Sequence, residues 1–135
     1  MPGTVLKVGQ VFHLHCVACR PPKPKFHVLA RIEPVPTFFL INSHPTAYQL
    51  ARPHLMSSIL KVMPTELTFL SHESWLDCTM VMSGYTAQDL ETHVLNGNRE
   101  YLGRMPAAQR RIVRAIINAS KLLPRADKAA MLALW

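Results

Sequence analysis

Apolar and polar side chains alternate with period two through residues 10–18. Phe12, Leu14 and Cys16 fall on one face and Val11, His13, His15 and Val17 on the other, which predicts a half-buried strand whose histidines turn away from the core. The prolines of Arg20-Pro21-Pro22-Lys23-Pro24-Lys25 lack ladder donors and predict a loop. Alternation resumes over residues 25–32 through Phe26, Val28, Ala30 and Ile32. After the turn Glu33-Pro34-Val35-Pro36, the run Thr37-Phe38-Phe39-Leu40-Ile41 is apolar on both faces and reads as a central strand. Arg52-Pro53 breaks any single element through the fifties, and residues 57–63 and 75–82 read as further strands. Short strands at this spacing predict a small, strongly curved sheet or barrel.

The period then changes. Thr86 with Asp89 three residues on predicts a helix start, and Asn96-Gly97 its end. Pro106 suits the first turn of a second helix, with Ile112, Val113, Ile116 and Leu123 on one side and Arg110, Arg114 and Lys121 on another. A short last helix is expected over residues 125–134. The fold class is therefore mainly β with C-terminal helices, divided into a barrel with one inserted helix over residues 1–104 and a basic helical extension over residues 105–135 packed on it.

At 135 residues the chain has room for one core, and its 49% apolar and 17% charged composition is that of a globular protein. No apolar run approaches the roughly 18 residues of a membrane span, and MPGTVLKVGQ lacks a leader pattern, so no membrane contact and a cytoplasmic location are expected. Three cysteines, Cys16, Cys19 and Cys78, do not make a secreted disulfide framework. The charge is uneven: residues 1–98 hold seven basic and six acidic side chains, residues 99–128 eight and two. Arg110, Arg111 and Arg114 are accordingly candidate contacts for nucleic-acid phosphates or an acidic protein. His13-x-His15-Cys16-x-x-Cys19 has metal-ligand residue types, but strand alternation sends the histidines and Cys16 to opposite faces, so no metal and no cofactor are expected.

Four segments carry a resemblance: Gly9-Gln10-Val11-Phe12, Lys25-Phe26-His27-Val28-Leu29-Ala30, Phe38-Phe39-Leu40-Ile41-Asn42-Ser43 and Phe69-Leu70-Ser71-His72-Glu73-Ser74-Trp75-Leu76-Asp77-Cys78. Across about residues 4–83 the chain resembles the bacterial and phage branch of PemK/MazF-like proteins. The resemblance implies a small SH3-like β-barrel and a toxin-like protein that binds RNA or cleaves it without metal. Its site would use a cation in the loop after the first strand and a Ser or Thr at the end of a following strand, here residues 20–25 and Asn42-Ser43. The family's glycine-rich segment before its arginine is replaced by Pro21-Pro22-Lys23-Pro24-Lys25, and lysine lacks the planar fork of arginine.

RNA cleavage of that kind needs a base for the 2′-hydroxyl, an acid for the 5′-oxygen and a cation for the phosphate. Arg20 and Lys25 are the candidate catalytic cations, Ser43 positions substrate, and His44 and His72, beside Glu73, are the candidate proton carriers. Lys23 and Asn42 join the three helix arginines as nucleic-acid contacts. RNA, a cognate antitoxin or host protein, and a second copy of the chain are the partners this reading brings in. A non-catalytic interaction module, a phage or mobile-element protein docking on host protein or nucleic acid, stays open beside the endoribonuclease.

Overall fold

The structure, a computed structural model, describes residues 5–135. The expectation about a leader, read from residues 1–10, and the first residue of the resemblance fall partly or wholly on residues 1–4, outside the described residues. Six strands form one antiparallel sheet: β1 (Gln10–Cys16), β2 (Lys23–Arg31), β3 (Thr37–Asn42), β4 (Ile59–Val62), β5 (Ser74–Met82) and β6 (Tyr101–Arg104). Their order is β4-β5-β3-β2-β1-β6, so β4 and β6 are open edges and the curled sheet is a half-barrel. With five helices, α1 (Ala47–Leu50), α2 (Pro53–Met56), α3 (Ala87–Asn96), α4 (Ala107–Ala119) and α5 (Arg125–Leu132), the protein is mixed α/β.

The central strand is β3, where Thr37 to Ile41 are all buried, as a run apolar on both faces requires. Two apolar clusters lie on the two faces of the sheet. One gathers Val11, Val28, Ala30, Phe39, Ile41 and Leu76 with Met105, Val113 and Ile117 around α4; the other gathers Phe12, Leu14, Leu29 and Phe38 with Leu90 of α3. Covering both faces corrects the simple alternation expected for the first strand. Val11 is buried as deeply as Phe12, and outward positions begin at His13. In β2 a register shift between Leu29 and Arg31 turns Ile32 to the second cluster, away from Ala30.

Several boundaries differ from the sequence expectation for identifiable reasons. The predicted loop through Lys25 is strand from Lys23 onward, with Lys23 opposite Cys16 and Pro24 opposite His15. Pairing of β2 with β3 starts at Phe26, so Pro24 has an unpaired side where a missing N–H does no harm. The last helix ends at Leu132 rather than residue 134. In α4 the buried stripe is Gln109, Val113 and Ile117, with Ile112 exposed and Leu123 beyond the helix. Strand β6 was not expected; it is four residues long and contains Gly103 at φ +94°. Among the described residues no helix is long and apolar enough to cross a membrane.

The C-terminal segment is fixed on the sheet at two points and braced within itself at a third. Arg31 of β2 donates to the carboxylate of Asp127 in α5, Trp135 Nε1 donates to Ala30 O at 2.8 Å, and Lys128 Nζ donates to Ser120 O at 2.8 Å. Leu123 and Met131 fill the α4 side of the core beneath them.

Candidate functional site

Antiparallel pairing brings the start of β2 beside the end of β3, with Phe26 opposite Ile41, and brings His13 of β1 opposite Phe26. Pro45 and the Thr46 capping box turn the chain from β3 into α1, leaving Ser43 and His44 exposed at the strand end. The result is an open cleft of about 460 Å³ lined by His13, Lys23, Pro24, Lys25, Phe26, Ile41, Asn42, Ser43, His44 and Thr46. Two ammonium groups and two imidazoles share it, and no carboxylate is among its lining residues. Lys25 Nζ donates to Asn42 Oδ1, which fixes the ammonium over the junction of β2 and β3.

Aromatic rings floor the cleft. His13 lies on Phe26 with centroids 4.8 Å apart, and Phe26 meets Phe69 at 4.8 Å. His13 and Pro24 also line a neighbouring depression of about 510 Å³, whose other residues include His15, Arg99 and Glu100. The two hollows therefore share a wall across the outer half of β1.

Of the residues read from the sequence, Lys23, Lys25, Asn42, Ser43 and His44 meet in this cleft. Arg20 and His72 are not among its lining residues. Arg20 sits exposed in the turn between β1 and β2. His72 is at the same end of the sheet, just before β5, but its Nδ1–H donates to Glu73 O at 2.7 Å, and Ser74 Oγ donates back to His72 O at 3.1 Å. Glu73 pairs with Lys61 at 2.7 Å. That segment is closed on itself in the manner of a turn.

The helix arginines also separate. Arg111 and Arg114 line a shallow, open depression on α4 with Ala115 and Asn118, whereas Arg110 folds back so that its Nε donates to Met105 O at 3.0 Å. Sequence reasoning missed His13, Phe26 and Arg99 as groups beside the cleft. Strand alternation does turn His13 outward, which was the available signal, but Phe26 reads as core until the end of β3 is known to leave its edge uncovered.

His27 lies two residues beyond Lys25 on β2, where the second apolar cluster covers it: it packs against Phe38 and Tyr85, and its Nδ1–H donates to Lys25 O at 2.8 Å. Burial is the main cause that holds its pKa below the ordinary imidazole value; the Lys25 carbonyl works the other way and the nearby His13 and Lys25 charges add to the lowering. Cys16 and Cys78 are buried, and burial, followed by the Asp77 charge, pushes the Cys78 thiol well up. Cys19, half-buried, is raised by burial and by Cys16 beside it. Among the described residues no three His, Cys, Asp or Glu side chains cluster as a metal site would need. Comparison of the chain with protein-family models, with curated proteins and with solved structures finds no match.

Proposed function

We propose that the cleft binds single-stranded RNA and cleaves it, as a metal-independent endoribonuclease on a divergent SH3-like, PemK/MazF-type sheet. The observation that carries the reading is the meeting of Lys23, Lys25, His13, His44, Asn42 and Ser43 in one open, carboxylate-free hollow with an aromatic floor. A phosphodiester needs cations near its oxygens, a nucleobase needs a flat apolar surface, and transfer of the 2′-proton needs a group that can take up and give back a proton. In this scheme one imidazole removes the 2′-hydroxyl proton as O2′ attacks phosphorus. Lys25 stabilises the charge on the phosphorane, the other imidazole protonates the departing O5′, and Asn42 and Ser43 hold the phosphate in place. The O2′–P bond forms as the P–O5′ bond breaks, and the products are a 2′,3′-cyclic phosphate and a 5′-hydroxyl.

Incubation of the purified protein with mixed-sequence, end-labelled RNA in EDTA tests this. The expected result is cleavage across pH 5–9 that leaves cyclic phosphate ends, reduced about 10²–10³-fold by Lys25→Ala and about 10²–10⁴-fold by His44→Ala. RNA left intact at every pH overturns the catalytic scheme. One feature favours a second reading, binding without cleavage: the Lys25 ammonium is already engaged by Asn42, and the cleft holds no arginine fork. RNA that is retained uncut, and released by Lys23→Gln with Lys25→Gln, would establish that module instead.

A further inference from the structure

Away from the cleft, two arginines converge where, among the described residues, no carboxylate pairs with them. Arg104 ends β6 and Arg110 lies in the first half of α4, and their side chains meet over Gly9, the residue before β1. Gly9 has φ +88°, and a Cβ there would stand 2.9 Å from Arg110 Cδ and 3.7 Å from Arg104 Cγ. Only a residue without a side chain lets both stems cross this point. Each guanidinium is held at its base by a backbone carbonyl, Arg104 Nε donating to Val8 O at 2.9 Å and Arg110 Nε to Met105 O at 3.0 Å. Among the described residues those are the hydrogen bonds these two groups make, and their terminal N–H groups are committed to none of those residues.

Two fixed like charges repel, and a protein ordinarily relieves this with a carboxylate. Here the ion pairs among the described residues go to Arg31, Lys61, His93 and Arg99, and none reaches Arg104 or Arg110. The first turn of α4 carries no acidic residue, so its backbone N–H groups add to the positive potential. Arg104 is pushed below its ordinary pKa by burial first and by Arg110 second. Anchored at Nε and brought together by stems that pass the same point over Gly9, two forks whose terminal nitrogens have no described partner suit a tetrahedral oxyanion able to accept from both.

We propose that Arg104 and Arg110 form a phosphate-binding site, separate from the cleft, that takes the phosphate of a nucleic-acid strand or a free phosphate. Gly9, just before β1, precedes His13 by four residues, about 13 Å at about 3.3 Å per residue, so the site is a second anchoring point apart from the cleft. Titration calorimetry with inorganic phosphate at low ionic strength, on the whole chain, is the direct test. A saturable site that does not depend on Lys25 is expected. Arg104→Gln and Arg110→Gln should each weaken it at least tenfold, Arg104→Lys should weaken it less, and Lys25→Gln should leave it within twofold. Should Arg110→Gln disturb folding, as its packing on Gly9 allows, Arg104→Gln on the exposed edge strand carries the test, with circular dichroism as the control. A single-stranded oligonucleotide that displaces phosphate in competition assigns the site to a strand; one that leaves phosphate bound assigns it to the free anion. Absence of saturable phosphate binding overturns the proposal, and so does binding that disappears with Lys25→Gln but survives both arginine variants.

Discussion

His27 and Lys25 stand two positions apart on one strand and illustrate how little of a residue's behaviour resides in its type. Lys25 is half-buried at the open cleft, while His27, one step further under the second apolar cluster, is 4% exposed and packed against Phe38 and Tyr85. Folding therefore lowers the His27 pKa below its ordinary 6.5, chiefly by burial. As pH falls through that value the unfolded chain takes up a proton that the folded chain refuses, so stability must decline, by up to about 1.4 kcal/mol per pH unit for this one group. Above it the contribution is constant. Urea unfolding between pH 5 and 8 should show the decline, and His27→Gln should flatten it; equal slopes in the two proteins would mean that His27 is not the source. Phe39, fully buried in the central strand, belongs to the same scale. Phe39→Ala should destabilise by about 3–5 kcal/mol through lost burial and the cavity left behind, measured by the same unfolding curves. That Phe39 is core could be read from the sequence, because a run apolar on both faces has no other place to go. The burial of His27 could not: alternation with Phe26 and Val28 sends it to the second face, and nothing local says that α3 covers that face.

At the scale of elements, what could be read was what is decided within a few residues. The start and end of α3 are of this kind. Thr86 Oγ1 accepts from Asp89 N at 3.1 Å, Asp89 Oδ2 accepts from Thr86 N at 3.0 Å, and Gly97 closes the helix at φ +60°. Thr86, through its backbone N–H first and its side chain second, also holds the Asp89 carboxyl below its usual range. Because α3 buries Leu90 against the second face of the sheet, loss of its cap should be felt by the whole molecule. Thr86→Ala is expected to lower the unfolding free energy by about 1 kcal/mol, and Thr86→Ser to restore most of it. A Thr86→Ala protein as stable as the parent would show the cap to be redundant. What could not be read depends on distant partners. Strand β6 exists because Gln10 and Phe12 offer it a ladder, opposite Arg104 and Tyr101, and four residues with a glycine give no pattern of their own. Pro24 looks like a strand breaker until β3 is seen to stop short of it. The assignment of Ile112 rather than Ile117 to the core of α4 is a rotation error of the same origin, since Ile112 and Val113 are adjacent and the sheet selects one.

For the whole molecule the controlling quantity is where the charge lies. Residues 99–128 carry a net +6, eight basic against two acidic, yet the fold disperses them. Arg110 and Arg104 turn over Gly9, Arg111 and Arg114 stay on the open side of α4, Lys128 bonds to Ser120 O, and Arg99 reaches the depression beside His13. The cleft supplies Lys23 and Lys25 from elsewhere in the chain. The sequence displays the asymmetry but not this dispersal, which is why the three arginines of one helix looked like one surface. Their separation gives the proposed RNA contact a salt signature that depends on which cations touch phosphate. Each phosphate neutralised on a single strand releases about 0.7 counterion, so log K against log salt should lose about 1–2 units of slope in Lys23→Gln with Lys25→Gln. Arg111→Gln with Arg114→Gln should remove a similar amount if a bound strand crosses the α4 depression, and nothing if it stays in the cleft. Both double variants alter solvated charges, so the thermal midpoint should hardly move and weaker binding cannot be put down to unfolding. A slope unaltered by the lysine pair, with RNA still bound, would place the strand away from the cleft and remove the ground for the cleavage scheme.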